Sequence, residues 1–159
     1  MNPTPPSTTA APLALSVIDP DTVASVAPLF DAYRQFYGQA PALDAATAYL
    51  QQRVASRESI VLGAFLDGRA VGLAQLYPTW SSIRMAPTLV LNDLFVDPSA
   101  RGRGVGEALV RACEAEGLRR GAAALSLETQ RSNHAAIALY ERLGWSRDEA
   151  FHVYAKALG

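Results

Sequence analysis

The chain has 159 residues, half of them apolar, and a formal net charge of -1. A chain of this length and composition forms a single domain with a substantial core, and its near-neutral charge gives no general attraction to nucleic acid or anionic membranes. The single cysteine, Cys113, excludes an internal disulfide and a thiolate metal cluster, and no run approaches the ~20 apolar residues of a membrane span.

The first twelve residues differ in composition from the rest of the chain. They are rich in Pro, Thr and Ala and nearly lack large apolar side chains. Such a segment cannot bury enough surface to offset its ordering entropy. We therefore expect a flexible tail at residues 1–12 and a single domain at residues 13–159.

Helical and strand periodicities alternate along that domain. The predicted elements are a strand at 13–18, helices at 25–38 and 43–57, strands at 59–66, 70–77 and 88–96, a helix at 104–120, a strand at 124–129, a helix at 133–143 and a closing strand at 151–158. The Asp67-Gly68 pair is typical of a tight hairpin turn. This order predicts a mixed α/β sheet with helices on its faces.

A glycine-rich segment, RGRGVG at residues 101–106, joins a predicted strand to a predicted helix. It has three interpretations: a tight turn, a dinucleotide-binding fingerprint, or a cradle for a phosphate group. The fingerprint GxGxxG requires a third glycine where Glu107 or Leu109 stands, although Glu128 lies about twenty residues on, at the distance of a ribose-binding acid. A P-loop is unlikely in the absence of any GK[ST] sequence.

The phosphate cradle is the favoured interpretation. Backbone N–H groups at a helix N-terminus lack intrahelical partners and attract anions. Gly104 and Gly106 leave the backbone open to close approach, and Arg101 and Arg103 add positive charge.

A second motif, RSNHAAIALYERLGW, covers residues 131–145. Asn133 and Tyr140 are seven residues apart, which places them on one helix face about 10 Å from each other. Taken alone, the pattern equally fits an Asn that caps the helix and a Tyr that packs in the core.

Together, LNDLFVDPSARGRGVG and SNHAAIALYERLGW closely resemble the core of the GNAT family of N-acetyltransferases, over about residues 59–158, and most resemble its histone, polyamine and small-amine branch. The resemblance implies an α/β GNAT fold. This fold has a mixed, mostly antiparallel sheet of six to seven strands, a splayed central strand pair and about four helices on its faces.

The resemblance also implies where acetyl-CoA binds. Amides of the glycine-rich loop hold the pyrophosphate, the strand before the loop pairs with the pantetheine arm, and the helix asparagine lies near that arm. The residues at these positions are Leu94, Phe95, Val96, Arg101, Gly102, Arg103, Gly104, Val105, Gly106 and Asn133. The family tyrosine near the sulfur corresponds to Tyr140.

Acetyl transfer from a thioester to an amine requires a base for the amine, polarisation of the carbonyl and a proton donor for the thiolate. The Val96 N–H is the expected polarising group, and Tyr140 is the expected donor. Polyamine acetyltransferases often have a glutamate where Asn92 stands, and strand alternation places Asn92 and Asp93 on opposite faces. Asp93 and Glu128 are therefore the candidate bases, acting through water, unless the acceptor is already partly neutral.

The expected activity is direct acetyl transfer, without a covalent enzyme intermediate, to a small-molecule or peptide amine. Tyr37, Tyr77, Trp80 and Asn92 are the candidate acceptor-binding residues. The family resemblance implies a homodimer, and we expect a cytoplasmic protein that binds no metal, nucleic acid or membrane. A non-catalytic acyl-CoA-binding module and a dinucleotide-dependent oxidoreductase are the alternatives.

Overall fold

The computed structural model describes residues 12–158, so the predicted tail at residues 1–12 lies outside the described residues except for Pro12. These residues belong to two units, Met1–Glu128 and Thr129–Gly159. The first unit contains β1 (Ala14–Ile18), α1 (Ala27–Phe36), α2 (Leu43–Ala55), β2 (Ile60–Leu66), β3 (Arg69–Ser81), β4 (Ala86–Val96), α3 (Val105–Arg119) and β5 (Leu125–Leu127), with short 3-10 helices at Val23–Ser25 and Pro98–Ala100.

The strands form one mixed sheet in the order β1-β2-β3-β4-β5. Neighbouring strands are antiparallel except for β4 and β5, which are parallel. Asp67 and Gly68 both have positive φ, 50° and 74°, as a two-residue type I′ hairpin turn requires. The predicted α/β class and the predicted hairpin are confirmed.

Helices cover both faces of this sheet. On one face, Leu73 of β3 and Phe95 of β4 join a buried cluster with Phe30 of α1 and Leu50 of α2. On the other face α3 packs so closely that a methyl group on Gly72 would lie 2.9 Å from side-chain atoms of both Val105 and Leu109. Successive residues of a strand face opposite sides of the sheet, so the neighbours Gly72 and Leu73 of β3 pack against different helices.

The sheet opens between its two parallel strands. The ladder between β4 and β5 covers only Leu89–Leu91, whereas β4 continues to Val96. Beyond Leu91, β4 therefore keeps its β3 neighbour and has no strand on its other side within residues 12–158. This opening is the splayed strand pair that the family resemblance implies.

A β-bulge in β4 lies at the start of this opening. Gln75 pairs with Asp93 and the next β3 residue, Leu76, pairs with Leu91, so Asn92 is the extra residue. The prediction that Asn92 and Asp93 point to opposite faces is wrong, because the bulge interrupts the regular alternation. Their side chains are instead hydrogen-bonded to each other over 3.1 Å.

The second unit contains one helix, α4 (His134–Arg142), close to its predicted bounds. The predicted closing strand at 151–158 is wrong: none of these residues is in a strand, and their side chains are exposed. The described sheet has five strands rather than six or seven. Within residues 12–158, no helix has the length and apolar character needed to cross a membrane.

Candidate active site

A cavity of about 400 Å³ lies between α1, α2 and β4. Its walls combine aromatic rings, two small side chains, one guanidinium group and two polar residues of the bulge. The lining residues are Phe30, Tyr33, Arg34, Ala45, Ala46, Tyr49, Asn92 and Asp93. This volume and this mixture of apolar walls with few polar groups are typical of a small-molecule site.

Asp93 is the buried acid of this cavity, with only 6% of its surface exposed. Burial raises the pKa of its carboxyl group above the ordinary value, although hydrogen bonds from Tyr33 and Asn92 act in the opposite direction. Burial and the nearby Asp93 charge also raise the pKa of Tyr33, which therefore remains a protonated donor. The result is an oriented carboxylate that is more basic than an exposed aspartate.

A second polar chain lies next to Asp93 on β3. Gln75, the cross-strand partner of Asp93, donates its side-chain amide to the Tyr77 hydroxyl over 3.1 Å, and the hydroxyls of Tyr77 and Tyr49 are 2.7 Å apart. Burial raises the pKa of Tyr77, so this hydroxyl also stays protonated. Tyr77 thus supports the cavity wall through Tyr49.

The glycine-rich loop exposes the amino terminus of α3. The first intrahelical bond runs from Ala108 N to Gly104 O, which leaves the N–H groups of Val105 and Gly106 without intrahelical acceptors. Gly104 precedes the helix with φ of 78°, no side chain caps it, and a Cβ there would meet no atom within 4 Å. This end of α3 has the open amides that a pyrophosphate group needs.

The open edge of β4 adds further backbone donors. Asp97 N donates to Val71 O of β3 over 2.9 Å, and alternation therefore turns the N–H groups of Val96 and Leu94 away from β3. The Val96 carbonyl accepts a hydrogen bond from Arg101 Nε over 3.1 Å. Phe95 is buried in the core, and the same alternation turns its N–H toward β3, so Phe95 offers no donor at this edge.

The α4 motif has a clear local structure. Asn133 is the N-cap, and its side-chain oxygen accepts a hydrogen bond from Ala136 N over 3.3 Å. The Tyr140 ring lies against the Trp145 ring with a centroid separation of 5.9 Å. Capping thus accounts for the conformation of Asn133, whereas the roles of Asn133 and Tyr140 toward acetyl-CoA stay predictions.

The remaining candidate residues lie in different surroundings. Trp80 is 74% exposed near the end of β3 and does not line the cavity, and Tyr37 packs edge-on against Tyr33 with centroids 5.1 Å apart. Glu128 directly follows β5 and is exposed. The roles of all three residues stay predictions.

Sequence reasoning missed six cavity residues, Phe30, Tyr33, Arg34, Ala45, Ala46 and Tyr49. The first three stand at positions i, i+3 and i+4 of α1, which is the spacing of one helix face. That face carries both core and cavity residues, so its periodicity indicated only a buried stripe. Among residues 12–158, no three His, Cys, Asp or Glu residues form a group that could hold a metal ion.

The family model for the acetyltransferase (GNAT) family matches residues 26–145. The chain is 44% identical over 131 residues to the N-acetyltransferase YhfO of Bacillus subtilis (strain 168), which covers 82% of this chain and 88% of that protein. The crystal structure of a probable acetyltransferase superposes with a TM-score of 0.87 at 28% identity, over 92% of this chain and 98% of that one. An aminoglycoside N-acetyltransferase solved with CoA shares the fold, with a TM-score of 0.78 at 21% identity over 95% and 99% of the two chains.

These matches and the splayed sheet define an N-acetyltransferase. The chain belongs to the acetyltransferase (GNAT) family, whose enzymes use acetyl-CoA. The assignment to this enzyme class excludes the two alternatives drawn from the glycine-rich loop, a dinucleotide-dependent oxidoreductase and a non-catalytic binding module. The particular resemblance to the histone and polyamine branch is not part of this assignment.

Proposed function

We propose that the protein transfers an acetyl group from acetyl-CoA directly to a primary amine that binds in the α1–α2–β4 cavity, with Asp93 as the general base. The observation that carries the proposal is the position of Asp93. It is buried, it lines the cavity, and it stands with Asn92 at the point where β4 loses its second neighbour. An amine in this cavity therefore meets a basic carboxylate beside the open strand edge.

The residues of the chain fit acetyl-CoA. The amides of Val105 and Gly106 at the start of α3, with the exposed Arg103, would bind the pyrophosphate, and the outward N–H groups of Leu94 and Val96 would bind and orient the pantetheine arm. Acetyl-CoA supplies the activated acetyl group as a thioester. The Val96 N–H is the donor suited to polarising its carbonyl.

The proton transfers follow from the acids and bases on the chain. Asp93 accepts a proton from the ammonium group, which frees the nitrogen lone pair. As the new C–N bond forms and the C–S bond breaks, the thiolate requires a proton from a donor, and the second proton released by the nitrogen replaces the one that the donor gives. The GNAT motif assigns this donation to Tyr140, because a phenol hydroxyl is an acid suited to protonating a thiolate. Glu128 is the second candidate base.

Direct transfer is favoured over a covalent enzyme intermediate. Cys113, the single thiol of the chain, is fully buried in α3, and burial raises the pKa of this thiol to about 12. A thiol protonated and inaccessible at neutral pH is a poor nucleophile. The resemblance to histone, polyamine and small-amine acetyltransferases supports a primary amine as acceptor. It also supports a homodimer, and the scarcity of cysteine fits a cytoplasmic enzyme.

The test is thiol release from acetyl-CoA in the presence of a panel of primary amines, with thermal stabilisation by acetyl-CoA measured in parallel. Acetyl-CoA should raise the melting temperature, NADH should not, and thiol release should require an amine. Mass spectrometry of the enzyme after exposure to acetyl-CoA alone should show no added acetyl group. Stoichiometric acetylation of the enzyme would contradict direct transfer, and a lack of stabilisation by acetyl-CoA would contradict the proposed donor.

A further inference from the structure

The cavity contains charged groups of both signs. Asp93 provides a buried carboxylate on β4, and Arg34 of α1 provides a guanidinium on the same lining surface. The aromatic rings of Phe30 and Tyr49 lie in the same cavity and are nearly parallel, with centroids 5.7 Å apart. The site thus presents an anionic end, a cationic group and an aromatic wall.

Arg34 is held in place by residues outside the cavity. Its Nη1 lies 2.7 Å from Oδ1 of Asp31 and 3.5 Å from the Ala40 carbonyl oxygen. Asp31 is itself buried and also accepts hydrogen bonds from Gln35 Nε2 at 2.9 Å and Ala42 N at 3.1 Å. Asp31 does not line the cavity, so it fixes the guanidinium without occupying the binding space.

One edge of the Arg34 guanidinium remains for a ligand. Both hydrogen bonds that it makes within residues 12–158 use Nη1, whereas the Nε and Nη2 edge is the one that grips a carboxylate in a bidentate manner. A fixed guanidinium loses little conformational entropy when it binds an anion. Arg34 is therefore suited to recognise an acidic group on a cavity ligand.

We propose that the acceptor is an amine that also carries a carboxylate, such as an amino acid with an apolar or aromatic side chain. Its ammonium group meets Asp93, its carboxylate meets Arg34, and its side chain packs against Phe30 and Tyr49. The placement of the ligand's ammonium group at Asp93 rests on the proposed acetyl transfer. The placement of its carboxylate depends on Arg34 alone.

The two charges of such a ligand also match the electrostatics of the site. Asp93 lines the cavity as an acid, and Arg34 lines it as a cation whose Nη1 is held by Asp31. An amine without a carboxylate would neutralise Asp93, but it would offer no hydrogen-bond acceptor to the Nε and Nη2 edge of Arg34. A zwitterion pairs with both Asp93 and Arg34. This difference distinguishes amino acids from amines without a carboxylate as acceptors.

Binding measurements with pairs of ligands test the inference. Each pair consists of an amino acid and its decarboxylated amine: phenylalanine with phenethylamine, tyrosine with tyramine, and leucine with isopentylamine. Calorimetric titration of the CoA-saturated full chain should give about tenfold tighter binding for the carboxylate member, the effect of a hydrogen bond between charged groups. Equal affinities within every pair, or no binding by any amino acid, would overturn the inference.

Variants of Arg34 identify the source of the preference. Arg34→Gln should weaken binding of the amino acid about tenfold and leave the decarboxylated amine almost unchanged. Arg34→Lys retains the ion pair with Asp31 but lacks the planar fork, so it should keep the fold and show a smaller preference. Arg57→Gln, an exposed change outside the cavity, should keep the wild-type ratio. An equal loss of affinity for both pair members in Arg34→Gln would overturn the inference.

Thiol release measured on the same pairs separates this inference from the proposed function. Carboxylate-selective binding without thiol release would contradict the proposed transfer and support the acceptor class. Thiol release that is faster for the decarboxylated amine in every pair, with no binding preference, would support the transfer and contradict the acceptor class.

Discussion

The side-chain amide of Asn92 donates a hydrogen bond to the carboxylate of the next residue, Asp93, across 3.1 Å. In a regular strand these side chains would point to opposite faces. The bulge at Asn92 brings both into one cavity and aligns Asp93 with Gln75 on the neighbouring strand. A single inserted residue thus places an oriented acid beside the open edge of β4.

Replacement of Asp93 tests its role as base. Asp93→Asn should lower kcat/KM for the preferred amine by about 10²–10⁴, the usual contribution of a general base. The wild-type rate should fall as the pH decreases through the raised pKa of Asp93, and this acid limb should be absent from any residual activity of the variant. Asp21→Asn, an exposed change, is the control and should retain the wild-type profile. An unaltered acid limb in Asp93→Asn would identify a different base, with Glu128 next to be replaced.

The raised pKa of Asp93 also affects stability. The fold favours the protonated carboxyl group, so its stabilising contribution is complete below the ordinary pKa near 3.9 and is lost as the pH rises through the higher folded value. Asp93→Asn lacks this dependence and should gain stability relative to wild type between pH 4 and neutrality. Chemical denaturation across that range measures the difference. A difference that decreases as the pH rises would contradict the direction of the shift.

Replacement of Gly104 separates backbone strain from ligand binding. A Cβ at this position meets no protein atom within 4 Å, but its φ of 78° makes Gly104→Ala unfavourable by about 1–2 kcal/mol. Gly121 has φ of 67° and equally open surroundings at the other end of α3, so Gly121→Ala should cause a similar loss of stability. Only Gly104→Ala should also weaken acetyl-CoA binding, by tenfold or more. Equal acetyl-CoA affinity in the two variants would argue against pyrophosphate binding at this loop.

Replacement of Tyr140 tests the assigned proton donor. Tyr140→Phe retains the ring beside Trp145 and removes the hydroxyl. Turnover should fall by about tenfold or more, whereas acetyl-CoA affinity should change little, because a proton donor acts on the departing thiolate. Tyr154→Phe, at a side chain that is 90% exposed, is the matched control. Wild-type turnover in Tyr140→Phe would remove Tyr140 from this role.

Local chemistry made several elements predictable from the sequence. The Asp67-Gly68 turn follows from the tolerance of these two residues for positive φ, and the glycines before α3 indicate an exposed helix terminus. The closing strand was wrong because apolar alternation predicts a strand only where a partner backbone exists. Residues 151–158 have no such partner in the described sheet.

The candidate site was less predictable because it depends on contacts distant in sequence. The bulge at Asn92 is visible only in the register between β3 and β4. Tyr33 and Tyr49 lie on different helices, and they line the same cavity because α1 and α2 both pack over β4. The influence of Tyr33 on the pKa of Asp93 joins two elements that no local pattern connects.

The most direct test of the account is a crystal structure of the protein with CoA. We predict that the pyrophosphate oxygens accept hydrogen bonds from main-chain N–H groups within residues 102–107, with the pantetheine arm along the Leu94–Val96 edge of β4. Phosphates bound elsewhere on the chain, with this loop making no contact to them, would contradict the account.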